Sequence, residues 1–345
     1  MATGREAKAA FKKAATWGTA VAVSAEDLFL FTGEKVTRSI ENLPDDSAGR
    51  PFTADRDPGL VTCAGDLTAY LRYQGLEVLM AMAMGQAGTP SQEGDSSAYR
   101  HQLRLAADTD GLFGTLAVYK GVSVHEYPSC KVDGFTISGE AGQPLAITFN
   151  LICDDLNLNT TEGTNTAAAM AALALPDPGN RILFRQGTFL LNDATAAALS
   201  DSDRIHPSRF SLTFKRGLEG DYLAGGNDRI AEPIGAGFPE VSLELEFPTY
   251  TSDTYLHDLG SDTRKKMKIS FQGREIETDH PYRLEIMIPH LVITNAEAAV
   301  DKAGKIAHPI SALCLATTSE RPGMSGITDP FAIDLVNTRT TDPLA

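Results

Sequence analysis

Apolar and polar residues alternate with a period of two along much of the chain, most plainly in Pro239–Phe247, where Val241, Leu243, Leu245 and Phe247 interleave with Ser242, Glu244 and Glu246. A strand sends successive side chains to opposite faces, so this segment predicts one buried face and one charged face. Similar runs predict strands over Ala20–Phe31, Ala98–Ala106, Gly114–Lys120, Lys131–Ser138 and Leu145–Cys153. They recur over Arg181–Leu191, Arg209–Lys215, Lys266–Phe271, Tyr282–Thr294, Pro309–Ala316 and Phe331–Val336. Turn signals at Gly139–Gln143, Gly217–Asp221, Gly273–Arg274 and Lys302–Lys305 separate them, the layout of antiparallel sheets. One segment has helical spacing: Leu67, Tyr70, Leu71, Leu76, Leu79, Met80 and Ala83 share a face of a helix predicted over Leu67–Met84, with Asp66 as its cap and Gly85 at its end. A shorter helix is predicted over Ser252–Asp262. The pattern specifies an all-β fold with minor helix, a β-sandwich with a flanking helix covering a sheet. The β-α-β alternation of a doubly wound sheet is missing.

Polar stretches rich in Gly, Pro, Asp and Ser at Arg38–Pro58, Gln86–Ser97 and Leu218–Phe238 read as long mobile loops, and loops of that length in a compact β domain usually serve interaction. The hairpin from Glu126 to Asp154 has the outline of the segment from Ile286 to Ala316: a Pro-containing strand, an acidic small-residue turn, a second proline (Pro144 or Pro309), and an apolar strand with a cysteine. A helix candidate precedes each hairpin. The expected organisation is an N-terminal arm at 1–19, a first β-sandwich at 20–156, a linker at 157–180 and a second, diverged copy at 181–345.

With 345 residues there is material for two such units. The net charge of −15 argues against a protein that clamps nucleic acid through a basic surface. No apolar stretch approaches the roughly 20 residues of a bilayer span, and the basic N-terminus is followed by no secretory core, so cytoplasmic assembly is expected. Cys63, Cys130, Cys153 and Cys314 are widely spaced, which predicts buried free thiols.

Catalytic and metal motifs are missing. The histidines form no HExxH pattern, and His290 and His308, each beside a proline in an apolar run, read as strand residues. Asp155, Asn157 and Asn159 open like a calcium loop, but Thr160 replaces the turn glycine and Thr166 the bidentate glutamate. Gly235-Ala-Gly237 leads into a strand, so no nucleotide loop is present. No cofactor and no enzymatic activity are expected.

Three stretches carry a family resemblance: FKKAATWGTAVAV from Phe11, GDLTAYLRYQGLEVLMAMAMG from Gly65, and HEYPSCKVDGFTISGEAGQPLAITFNLICDDL from His125. Over roughly Phe11 to Leu156 the chain resembles tail tube proteins, the major tail proteins of long-tailed bacteriophages. The resemblance implies a β-sandwich flanked by a helix, whose sheets join between subunits into a β-barrel wall around a central channel. Rings of six such domains stack through long loops and arms; a chain with two domains implies a trimeric ring, and a chain with one a hexameric ring. The implied product is a virion component assembled in the host bacterial cytoplasm, a conduit for double-stranded DNA during ejection, with no membrane insertion. Its implied partners are further copies of itself, the tape-measure protein, and the tail terminator and distal tail proteins.

An acidic channel lining would keep the duplex off the wall. Glu244 and Glu246 are the lumen-facing candidates, with a solvated outer face as the competing reading. Trp17, Arg38, Arg50, Arg56, Gln92 and Glu93 are the candidates for contacts between subunits or rings, set against plain surface loops. The alternative function is a carbohydrate-binding β-sandwich surface protein, which the single tryptophan disfavours, since sugar sites stack their ligand on aromatic faces.

Overall fold

The computed structural model describes residues 3–345 apart from 54, 160, 162, 226, 227, 301 and 302. Ala2 of the expected arm, Thr160 of the calcium-loop comparison and Lys302 of the expected turn therefore lie outside the described residues. The fold is all-β with minor helix, 47 % strand and 9 % helix. Its main strands are β1 (Lys8–Ala14), β2 (Thr37–Pro44), β3 (Arg56–Tyr70), β4 (Tyr99–Leu105), β5 (Phe113–Tyr119), β6 (Val124–Glu140) and β7 (Ala146–Cys153) in the first half. The second half supplies β8 (Gly187–Asp193), β9 (Arg209–Lys215), β10 (Glu240–Phe247), β11 (Arg264–Glu277), β12 (His280–Asn295), β13 (His308–Cys314) and β14 (Ala332–Asn337). The helices are α1 (Glu77–Met84), α2 (Ala167–Ala172) and α3 (Thr254–Gly260).

All pairings are antiparallel, and one strand order occurs twice. In the first half it is β1-β5-β6-β7-β3; in the second it is β8-β11-β12-β13-β10. Two strands stitch the halves together. β9 lies between β6 and β10, and β14 lies between β12 and β4. One core runs through both halves: Phe135 of β6 meets Phe149 of β7, Phe214 of β9 and Phe331 within 6.2 Å between ring centroids. Gly134 permits the stitch, since a Cβ there would stand 2.1 Å from the carbonyl oxygen of Phe214.

The helix predicted over Leu67–Met84 is half that length. Leu67 and Ala69 are buried while Asp66 and Tyr70 are exposed, so this stretch alternates as the end of β3. Two patterns, a strand and then a helix, had merged into one apparent helical face; Gly75 at φ +100° separates them. Asp66 caps nothing and instead accepts a hydrogen bond from Asn150. Gly85 does close α1 in the left-handed conformation, φ +88°. The helix is buried all round, Glu77 included, whose carboxylate accepts from Asn337 at 2.6 Å and from the Gly75 amide.

Other expectations shift for local reasons. Ala20–Phe31 is mostly irregular because its amides find side chains: Val21 donates to Thr115 and Val23 to Asn165. Within the expected arm, Lys8–Ala14 is a strand fully paired with β5. Arg38–Pro58 is largely hairpin, β2 paired with the start of β3. Free thiols are correct for Cys63 and Cys314, both buried. Cys130 and Cys153, directly opposite on β6 and β7 with Cα atoms 4.1 Å apart, form a disulfide. Cys63 stands next in the same row, opposite Cys153 on β3.

Candidate functional site: a hydroxyl-rich sheet face and an exposed arm

The strands β3, β7, β6, β9, β10 and β13 form a continuous run in which every second residue is core: Leu67, Phe149, Phe135, Phe214, Leu243 and Ile310 are all buried. The residues between them form the other face, and they align in rows. Thr68, Thr148, Thr136, Thr213 and Ser242 lie side by side across five strands. The neighbouring row runs Ala146, Ser138, Ser211, Glu244, Ser311. Thr136 and Thr213 hydroxyls are 3.2 Å apart, as cross-strand threonines allow. The face is thus carpeted with short hydroxyls.

Charge on this face is mainly acidic. Glu244 is exposed between Ser211 and Ser311, and Glu246, half-buried, is opposite Arg209 and Pro309. Asp66, Glu140 and Glu240 belong to the same face, with Lys215 and Arg209 as its basic members. The structure therefore brings both expected lumen candidates onto one polar face; the rows of threonine and serine around them were not singled out from sequence, although the period-two pattern carried them.

The arm is a hairpin of β2 and the start of β3, with all eight residues of β2 exposed. Arg38 at its base reaches Asp155, a buried carboxylate that also pairs with Arg229 at 2.6 Å. Asp155 thereby ties the hairpin to the 218–238 loop, as do hydrogen bonds from Tyr222 to the Val61 carbonyl and from the Val61 amide to Asp228. Next to it Asp154 is buried, its carboxyl pushed above the usual range chiefly by burial. Arg50 pairs with Asp45 at the hairpin turn, and Arg56, exposed, opens β3 opposite Pro44. Exposed apolar residues accompany them: Leu43, Leu60 and Phe52 on the arm, Leu223 and Phe238 on the loop.

The remaining candidates have partners inside the chain. Trp17 donates its indole N–H to the Ile230 carbonyl at 3.1 Å and packs edge-on against Phe113. The single tryptophan, half-buried, is thus a staple between the start of the chain and the 218–238 loop. Glu93 accepts from Arg100 at 2.6 Å and from Arg283 at 3.2 Å, and Gln92 donates to the Ser96 carbonyl. The Gln86–Ser97 loop, expected to be mobile, is held by this cluster. His290 and His308 each bond a carbonyl from within their strands. Among the described residues no group of three or more His, Cys, Asp or Glu is placed to hold a metal ion, and no helix is long and apolar enough to cross a membrane.

No curated protein matches the chain. A family profile described as phage tail tube protein matches residues 4–311. That span takes in the arm, the hydroxyl-rich face and nearly all of both halves. The chain belongs to the phage tail tube protein family, whose members are structural components of the virion tail.

Proposed function

We propose that this chain assembles with copies of itself into rings that stack as the tail tube, with the hydroxyl-rich acidic face turned to the channel and double-stranded DNA passing along it. The observation that carries this reading is that face, a single sheet apolar on one side and lined with Thr, Ser and acidic residues on the other. Short neutral hydroxyls offer phosphate no fixed cation, and Glu244 and Glu246 repel it, so the duplex slides instead of binding.

The repeated strand order supports two tandem units, residues 20–156 and 181–345, with β1 supplied by the preceding residues and 157–180 as the connection. Three such chains make a ring of six units. The arm hairpin, with Arg38, Arg50 and Arg56, supplies contacts between copies. Assembly takes place in the host cytoplasm around the tape-measure protein, and the terminator and distal tail proteins close the ends. The role is structural and needs no cofactor.

Negative-stain electron microscopy of the concentrated protein tests the reading: stacked rings with a channel wider than the roughly 20 Å duplex are expected, with a mass of three chains per ring. Compact particles at every concentration and salt, alone and with the tape-measure protein, would overturn it.

A further inference from the structure

The 15 residues of β3 separate two features of opposite charge. Before its start, the hairpin turn carries Asp45, Asp46 and Asp55, followed by Asp57 on the strand itself, against Arg50 and Arg56. Arg50 is occupied by Asp45 at 2.8 Å, which leaves the tip acidic.

Two residues past the other end of β3 stands Arg72. It is half-buried, donates from Nη1 to the Gly179 carbonyl, and faces Arg181 across an isolated bridge between their backbones. The guanidinium of Arg181, an exposed residue, lies over the Tyr70 ring at 5.2 Å. Two like charges are thus fixed side by side. Burial and the charge of Arg181 both hold the Arg72 guanidinium below its usual range, with Asp177 opposing them. Neither arginine forms a salt bridge among the described residues, whereas two of the three arginines at the arm, Arg38 and Arg50, do. An arginine pair fixed in this way has unused donors in the planar geometry that suits a carboxylate.

A strand of that length spans about 45 Å, so the acidic tip and the arginine pair of one chain cannot meet. Between copies stacked head to tail they can, because a heterologous contact joins one end of a subunit to the other end of the next. We propose that the Arg72–Arg181 pair is the seat for the acidic hairpin tip of a second copy of this chain, the contact that sets one ring on the next. The inference rests on the ring-stacking reading above. Arg185, exposed on the segment that follows Arg181, extends the basic surface.

The test uses the full chain, compared by electron microscopy and sedimentation at low and high salt, with circular dichroism as the check on folding. Parent tubes are expected to shorten as salt rises, since charges at an exposed contact are screened. Arg181→Glu, a change at an exposed residue, and the double variant Arg72→Glu/Arg181→Glu are expected to leave single rings with tube length cut at least tenfold. Combining Arg181→Glu with Asp45→Lys/Asp46→Lys is expected to restore stacking. Parent-length tubes from both arginine variants, or no restoration by the charge swap, overturn the inference and leave the ring reading standing. A parent that forms neither rings nor tubes overturns the ring reading and this inference with it. Duplex DNA held by parent tubes at low salt, against the expectation for an acidic channel, and released by the arginine variants with tube length unchanged would assign the pair to phosphate and also overturn the inference.

Discussion

Arg216 closes the C-terminal end of α1 over Met84. Its Nη2 donates to the Met84 carbonyl at 2.7 Å, Nε to the Ala83 carbonyl at 2.9 Å and Nη1 to the Ala106 carbonyl at 3.1 Å. A helix leaves its last carbonyls unpaired, and a cation there also meets the negative end of the helix dipole. The arginine comes from just after β9 in the second half and the helix from the first, so this cap joins the halves. Arg216→Ala strands buried carbonyls and is expected to lower stability by about 3 kcal/mol. Urea unfolding checks this; a loss below ~1 kcal/mol would mean that water replaces the guanidinium.

Phe135 touches aromatic rings from both halves, and the predicted consequence is cooperative unfolding of the whole chain. Calorimetry should give one transition, and Phe135→Ala should lower it as a single transition at a cost of about 4 kcal/mol. Two separable transitions in the parent would show that the halves unfold independently.

Glu244 and Glu246 lie on the solvent-facing side of β10, so Glu244→Lys/Glu246→Lys is expected to change stability by about 0.5 kcal/mol or less. The effect should fall on DNA instead. Assembled tubes of the variant should retain duplex in a filter assay at low salt and release it as salt rises, while parent tubes retain none. Equal retention by both would place these residues away from the channel.

The cysteines differ in reactivity in a way mass spectrometry reads directly. Burial pushes the Cys63 and Cys314 thiols up to about 12, so at pH 8 almost no thiolate exists in the folded protein. Iodoacetamide should leave the native chain unmodified, label Cys63 and Cys314 after denaturation without reductant, and label all four after reduction. Labelling of Cys130 or Cys153 before reduction would count against the disulfide.

Asp155 holds Arg38 and Arg229 together, and Asp155→Asn removes the charge both need. Limited proteolysis of the unassembled protein should then cut the hairpin turn, between residues 45 and 55, several-fold faster than in the parent. An unchanged rate would mean that the Tyr222 and Val61 hydrogen bonds suffice to hold the arm.

Strand identity was legible wherever one face is buried and the other wet. Arg209–Lys215 and Pro239–Phe247 are found within a residue of their expected bounds, because alternation with a period of two has no other reading in a segment that short. The resemblance from Phe11 to Leu156 pointed to the family that the match over 4–311 then established. Helix length was misread at Leu67–Met84, where the last alternating residues of a strand fell by coincidence on a helical face.

What the tertiary structure alone decided is contact between residues distant in the chain. Register placed Cys130 opposite Cys153, which spacing cannot show. Arg38 had read as a candidate contact between copies and Asp155 as the opening of an incomplete calcium-type loop; their pairing with Arg229 depends on three segments meeting. Trp17 and Glu93, read as candidates for contacts between copies, have partners within the chain that only the fold supplies: the Ile230 carbonyl for one, the guanidinia of Arg100 and Arg283 for the other. Local pattern determines which backbone hydrogen bonds form along a strand; only the packing of the sheets determines which side chains face each other across them.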